Sequence, residues 1–170
     1  MKQLHTPPPS FEEPIEMLQA CHEKVRHFAR LAPKVAAHVA QHGADQQARD
    51  AAQAIMRYFD LAAPLHHQDE EEDLFPALTS LHDAALNGTM DTLTAEHDQL
   101  AGLWRITREW LALIEAGKTE PAPPAIHIFA QAYSDHADRE EREVYPHAKR
   151  LSAALLWDIG TKMAQRRHIN

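Results

Sequence analysis

The sequence holds almost no cysteine, little glycine, no long apolar run and no surplus of positive charge. Cys21 is the one cysteine among 170 residues, so no disulfide can form within the chain. That excludes the small, disulfide-stapled scaffolds of oxidising compartments. Five glycines and no alternating β-rich segment leave little material for hairpins. No apolar stretch approaches the roughly 18 residues that a membrane-spanning helix needs. Lys and Arg total 17 against 25 Asp and Glu, a net charge of −8, which suits neither nucleic acid nor an anionic membrane as partner. The stretch Met1 to Ser10 lacks the apolar core of a signal peptide and carries Pro7-Pro8-Pro9 instead. The expectation is a soluble, cytoplasmic protein.

What the chain has in excess is histidine. Its thirteen histidines are scattered rather than consecutive, so they are not a tag or a His-rich tract. Two of them open a repeat. His66-His67-Gln68-Asp69-Glu70-Glu71-Glu72-Asp73-Leu74-Phe75-Pro76 returns as His136-Ala137-Asp138-Arg139-Glu140-Glu141-Arg142-Glu143-Val144-Tyr145-Pro146, offset by 70 residues throughout. Both copies read His, three residues, Glu-Glu, two residues, an aliphatic, an aromatic, then Pro. The match extends upstream, pairing Phe59 with Phe129 and Ala62 with Ala132.

On a helix, residues four apart share a face, about 40° and about 6 Å from one another. One His-x-x-x-Glu is commonly a surface pair worth a few tenths of a kcal/mol. A duplicated surface pair has no reason to keep its flanking residues. Two such faces turned toward each other would make a metal site.

Periodicity places these faces on long helices. A first helix runs from about Pro14 to His42, kinked by Pro33 and stopped by Gly43. A second begins at Asp45 with Ala48, Ala52, Ile55, Phe59, Ala62 and His66 on one stripe, bends at Pro64 and breaks at Pro76. Asn87-Gly88 reads as the next loop. A third helix covers roughly Met90 to Ala116, and a fourth about Ala125 to Val144. A last amphipathic piece, about Ala148 to Arg166, packs through Leu151, Leu155, Leu156, Ile159 and Met163. The predicted fold is all-α, an antiparallel up-down-up-down four-helix bundle over residues 14–170 with an extra C-terminal helix. An extended arm occupies residues 1–13.

The repeat accounts for two helices, and each of the others offers one inward histidine. His22 lies on the stripe of Leu18 and Val25, and His97 on that of Leu93, Leu100 and Trp104. The set is His22, His66, Glu70, His97, His136 and Glu140. Nitrogen and oxygen donors without thiolate suit iron, manganese or zinc and disfavour copper(I) and iron–sulfur clusters. Two carboxylates from facing helices can each bridge two metals, as in di-iron carboxylate bundles. Two histidines per metal, the bridging carboxylates and one oxo or hydroxo bridge give five donors each and keep one position for a ligand. His67 and Glu71 are about 100° from the ligand face and read as facing a helix interface or solvent. The alternative for Glu71, shared by Glu141, is to support the ligand histidines from behind.

With these residues the chain resembles the hemerythrin-like, HHE cation-binding family over about residues 14 to 150. The resemblance implies that His22, His66, His97 and His136 are the histidine ligands of two non-haem iron ions, and that Glu70 and Glu140 bridge them. Oxygen-carrying members have a further histidine one turn before the third-helix ligand, where this chain has Leu93. They also have Asp five residues after the fourth-helix histidine, where this chain has Glu140 at four. Both differences resemble the four-histidine, two-glutamate members, including iron-centre repair proteins and iron sensors. The implied function is binding of iron and reaction with O2, NO or peroxide in sensing, scavenging or iron supply. A di-metal oxidase or peroxidase, and an interaction module with a structural metal, are the alternatives; a homodimer is compatible with either. In such a bundle Phe59, Phe129, Ala29 and Trp104 cap the site at one end and Asp73, Glu143, Ile15 and Met90 flank it at the other. A small gas would approach from the aromatic end and iron from the acidic end.

Overall fold

Helix α1, Pro14–His42, starts with Pro14 in its first turn, where a missing N–H costs nothing, and stops at Gly43, whose φ of 73° suits glycine. It is helical through Pro33. The computed structural model describes residues 9–168, so the first eight residues of the expected arm lie outside the described residues. Asp45 caps the next helix by accepting the Ala48 N–H at 2.9 Å.

This second helix, α2 (46–79), is the most irregular. Its α-helical parts, Gln46–Arg57, Ala63–Gln68 and Phe75–Thr79, are joined by π-helical turns at Tyr58–Ala62 and Asp69–Leu74. Each π turn ends just before a proline, and the reason is steric. Proline donates no hydrogen bond and its ring collides with the carbonyl four residues back. Widening the preceding turn sends the Ala63 N–H to the Tyr58 carbonyl and the Phe75 N–H to the Glu70 carbonyl, five residues back in both cases. The break expected at Pro76 therefore does not occur. The inserted residue also advances the buried stripe by one: Ala63 is buried and Ala62 only partly. Single π turns of this kind are frequent at functional sites.

Helix α3 runs over Ala84–Glu115 and contains Asn87 and Gly88, which were expected in a loop. The turn lies earlier, at 80–83. His82 takes a φ of 54° there, and Asp83 caps α3 through the Leu86 N–H. Asn-Gly is a turn signal only when nothing nearby nucleates a helix, and here the cap four residues upstream does so. Helix α4, Ala125–Glu143, is followed by a 3₁₀ turn at Tyr145–Arg150. The last helix, α5 (Ala153–Arg166), starts five residues later than expected because Pro146 forces the tight turn and Ser152 provides the cap. Leu151, Ile159 and Met163 face inward as expected, but Leu155 is exposed.

Helices α1 and α3 each pack against both α2 and α4, and α5 packs across α1 and the second π turn of α2. Among the described residues there is no strand, and the all-α fold is a helical bundle. Its core has two apolar clusters, one with Val25, Phe59, Leu100 and Phe129, the other with Leu18, Leu74, Leu93 and Val144. On each of the four long helices the buried histidines and glutamates fall between a member of one cluster and a member of the other.

Candidate metal centre

All six predicted residues converge in that polar layer, and all are buried. Glu70 and Glu140 have no accessible surface, and no histidine of the four exceeds 6 %. One donor atom each of His22, His66, Glu70 and Glu140 lies within 4.8 Å of the others. His97 and His136 form the other half, with their Nε2 atoms 3.0 Å apart. The two halves meet at the carboxylates. Glu70 presents Oε1 to His66 Nε2 at 3.3 Å and to His22 Nε2 at 3.9 Å, while its Oε2 lies 3.5 Å from His97 Nε2. Glu140 presents Oε2 to His22 Nε2 at 3.0 Å and Oε1 to His136 Nε2 at 3.0 Å and His97 Nε2 at 3.5 Å.

These spacings fit a metal. Ligand bonds of about 2.1 Å place adjacent donors roughly 3 Å apart around one ion. The hydrogen-bond inventory fits as well. Both ring nitrogens of His66, Oε2 of Glu70 and Oε1 of Glu140 are buried and make no hydrogen bond among the described residues. Leaving such atoms unsatisfied costs about 1–3 kcal/mol each, more for charged groups, and four of them on predicted ligands mark a site shaped for something else.

Electrostatics points the same way. Burial opposes the Glu140 charge, but the adjacent imidazoles of His136, His22 and His97 outweigh it and hold the carboxyl well below its ordinary range. Burial likewise opposes protonation of His97, yet Glu140, Glu70 and Glu71 together push it up to about 9. Without metal, protons take the place of cations.

Behind the inner ligands lies a ring of carboxylates. Glu141 Oε1 accepts from His22 Nδ1 at 2.8 Å, Glu96 Oε2 from His136 Nδ1 at 2.9 Å, and Glu71 Oε1 from His97 Nδ1. Each bond fixes the proton on Nδ1 and turns the Nε2 lone pair inward, the orientation a ligand needs. The pattern is regular: a glutamate on α2 holds the histidine of α3, one on α3 holds that of α4, and one on α4 holds that of α1. Arginines in turn hold two of these carboxylates, Arg26 reaching Glu141 at 3.1 Å and Arg139 pairing with Glu96. For Glu71 and Glu141 the supporting role was the alternative reading; for Glu96 it was not foreseen. Its signal was its position beside a ligand, as with Glu71 beside Glu70 and Glu141 beside Glu140.

His67 faces the interface of α2 with α3, as expected, and that interface brings it beside the candidate site. Its ring stacks on His97 with centroids 3.9 Å apart, and a ring nitrogen lies within 4.8 Å of His97 and His136 donor atoms. Burial, and then the neighbouring His97 and His66, hold its pKa well below the ordinary value, so it stays neutral. A residue 100° from the ligand face can still reach the site because the bundle closes on it from α3 and α4. Tyr145 also enters the site unannounced, its hydroxyl donating to Glu70 Oε1 at 2.6 Å. Three other histidines of the described residues stay outside: His127 is exposed, His38 pairs with Asp45 and His147 with Arg150.

The two ends differ from each other broadly as expected. Phe59, Trp104 and Phe129 meet with centroids 4.9 to 5.6 Å apart. At the other end Asp73 is bound by Arg166 at 2.8 Å, and Glu143 by Arg142 and Arg139. These acids are engaged by arginines, which removes the support for an acidic iron entrance.

A helical bundle with a buried layer of four histidines and two glutamates is a metal-binding bundle of the carboxylate–histidine class. The chain matches the model of the hemerythrin HHE cation binding domain over residues 13–148. It belongs to that family, which implies binding of metal through His and Glu ligands. It is also 34 % identical over 161 residues to a protein of Haemophilus influenzae (strain ATCC 51907 / DSM 11121 / KW20 / Rd) described as an uncharacterized protein, a match covering 94 % of this chain and 93 % of that one. No helix among the described residues is long and apolar enough to cross a membrane.

Proposed function

We propose that this chain is a non-haem di-iron protein of hemerythrin type. One iron is held by His22 and His66, the other by His97 and His136, and Glu70 and Glu140 bridge them. The observation that carries this reading is the division of each buried carboxylate, with one oxygen toward each pair of histidines. A single-metal site would have no use for two carboxylates so placed. Bound iron supplies exchangeable coordination positions and redox capacity. The protein orients the lone pairs, neutralises the charge and excludes water. On this reading the protein binds iron and reacts with O2, NO or peroxide, in sensing, scavenging or iron supply.

The test is elemental analysis of protein produced in iron-replete medium, with an optical spectrum alongside. About two irons per chain are expected, falling on His66→Ala or Glu140→Ala. A single zinc, or no metal, overturns the reading.

A second reading, a di-metal oxidase or peroxidase, draws on a cleft of about 450 Å³ bordered by Ile15, Gln19, Glu141, Tyr145 and Leu156. It touches Glu141 and Tyr145, which contact the centre, and so offers an organic substrate a place beside it. Metal-dependent turnover of a reductant with peroxide separates this reading from the first.

A further inference from the structure

The two copies of the repeat differ in one informative atom. Phe75 and Tyr145 occupy equivalent places, each after an aliphatic residue and before a proline. Both rings are buried in the same apolar cluster, 5 % and 2 % exposed. If the position required only an aromatic plug, the hydroxyl of Tyr145 would be a cost, because a buried O–H needs a partner.

That hydroxyl lies among the ligands. It is 2.6 Å from Glu70 Oε1 and 3.2 Å from His22 Nε2, and the ring stacks on His22 with an interplanar angle of 7°. His22 Nε2 is itself 3.0 Å from Glu140 Oε2. Separations of this size are those of adjacent donors on one ion. The oxygen thus stands as a fifth protein donor beside His22, His66, Glu70 and Glu140.

Taking the di-iron reading as its basis, we propose that Tyr145 is a phenolate ligand to the iron held by His22 and His66. On loading, the phenolic O–H bond breaks, an O–Fe bond forms, and the proton passes to bulk water; no electron moves in this step. The two irons are then unequal. A hard, anionic oxygen favours the ferric state and fills a position on the first iron, so small molecules exchange at the His97–His136 iron, beside His67.

The test uses the full chain loaded aerobically with iron, read by iron content, visible absorption and resonance Raman scattering. The wild type is expected to show a phenolate-to-iron(III) charge-transfer band with enhanced tyrosine ring modes. Tyr145→Phe should keep two irons and lose the band, while Tyr58→Phe and Tyr133→Phe keep it. Ring-deuterated tyrosine should shift the enhanced modes, and this identifies a tyrosinate even if Tyr145→Phe does not fold, since the other two tyrosines are tested separately. Iron-loaded wild type without the band, or a band that survives Tyr145→Phe, overturns the proposal and leaves the di-iron reading intact. A wild type that binds no iron overturns both.

Discussion

Removing Glu141 tests whether the outer carboxylates work for the metal or merely decorate the helices. Glu141 accepts from His22 Nδ1 at 2.8 Å, and Arg26 holds it from the other side. The His22 hydrogen bond, opposed by burial and helped by Arg26, lowers its pKa to about 2, so it is charged across the working range. Partners of this kind contribute roughly 10- to 100-fold to metal affinity, which is about 1.4 to 2.7 kcal/mol. Glu141→Gln keeps an acceptor and should lie at the low end, and Glu141→Ala at the high end. With metal well above the dissociation constant, the whole loss appears as lost stabilisation of the loaded protein. At about 2–4 °C per kcal/mol for a chain of this size, the metal-induced rise in Tm should shrink by roughly 3 to 11 °C. The unloaded protein should change less, because Arg26 retains Asp138 and Glu23. The assay is thermal unfolding with and without metal, paired with competition against a chelator. Glu143→Ala is the control, two residues further along and, among the described residues, bonded only to Arg139 and Arg142. If Glu141→Ala and Glu143→Ala reduce the metal-induced increment equally, the supporting role is refuted.

Two further outcomes follow from local structure. Gly88 and Gly102 lie within α3, and a Cβ at either would meet nothing within 4 Å, so Gly→Ala at either should stabilise by about 0.5–1 kcal/mol in urea unfolding; a loss at Gly88 would return Asn87-Gly88 to a turn. At Gly160 a Cβ would sit 1.8 Å from the Phe11 carbonyl oxygen, so the same change should destabilise by about 1–3 kcal/mol as the N-terminal turn is displaced. The pH dependence of the metal-free protein has a definite sign on each side. His97, raised from 6.5 to about 9, contributes stability that is complete below pH 6.5 and lost as pH rises toward 9. Glu141, lowered from 4.5 to about 2, contributes stability present above pH 4.5 and lost as pH falls toward 2. Chelator-treated protein should therefore unfold at the highest denaturant concentration between about pH 4.5 and 6.5, and a midpoint that does not fall between pH 6.5 and 9 refutes the assignment for His97.

The inner site was readable because its determinants are short-range and repeated. A four-residue spacing on a helix fixes two donors, the repeat supplies the second pair, and apolar stripes locate His22 and His97. Helix ends were readable where a cap or glycine decides them, as for Pro14–His42. What escaped depends on neighbours in space. Whether Pro76 breaks a helix or widens a turn is decided by the packing that keeps α2 continuous, and the resulting shift from Ala62 to Ala63 cannot be read from a 3.6-residue period. His67, Glu96 and Tyr145 reach the centre across helix interfaces, where a helical wheel drawn for one helix carries no information. Asp69 is a similar case. It is fully buried beside Glu70, yet its partners Arg166 and Arg167 lie almost a hundred residues away at the end of α5.

The carboxylate ring also has a gap. Three links join α2 to α3, α3 to α4 and α4 to α1, and symmetry would have α1 hold His66 of α2. The residue before His97 is Glu96, which reaches His136; the residue before His22 is Cys21. Cys21 is the residue in the equivalent place, and His66 Nδ1 makes no hydrogen bond among the described residues. A thiol is a weak donor and a weak acceptor, so it cannot fix the ring proton as a carboxylate does. His66 is then oriented by packing and by Glu70 alone. Cys21→Ala should change metal affinity by less than about threefold, set against the roughly 10- to 100-fold loss at Glu141, in the same chelator competition. A loss at Cys21 as large as at Glu141 would make the thiol a working fourth member of the ring, and His66 would then be held as firmly from behind as its neighbour.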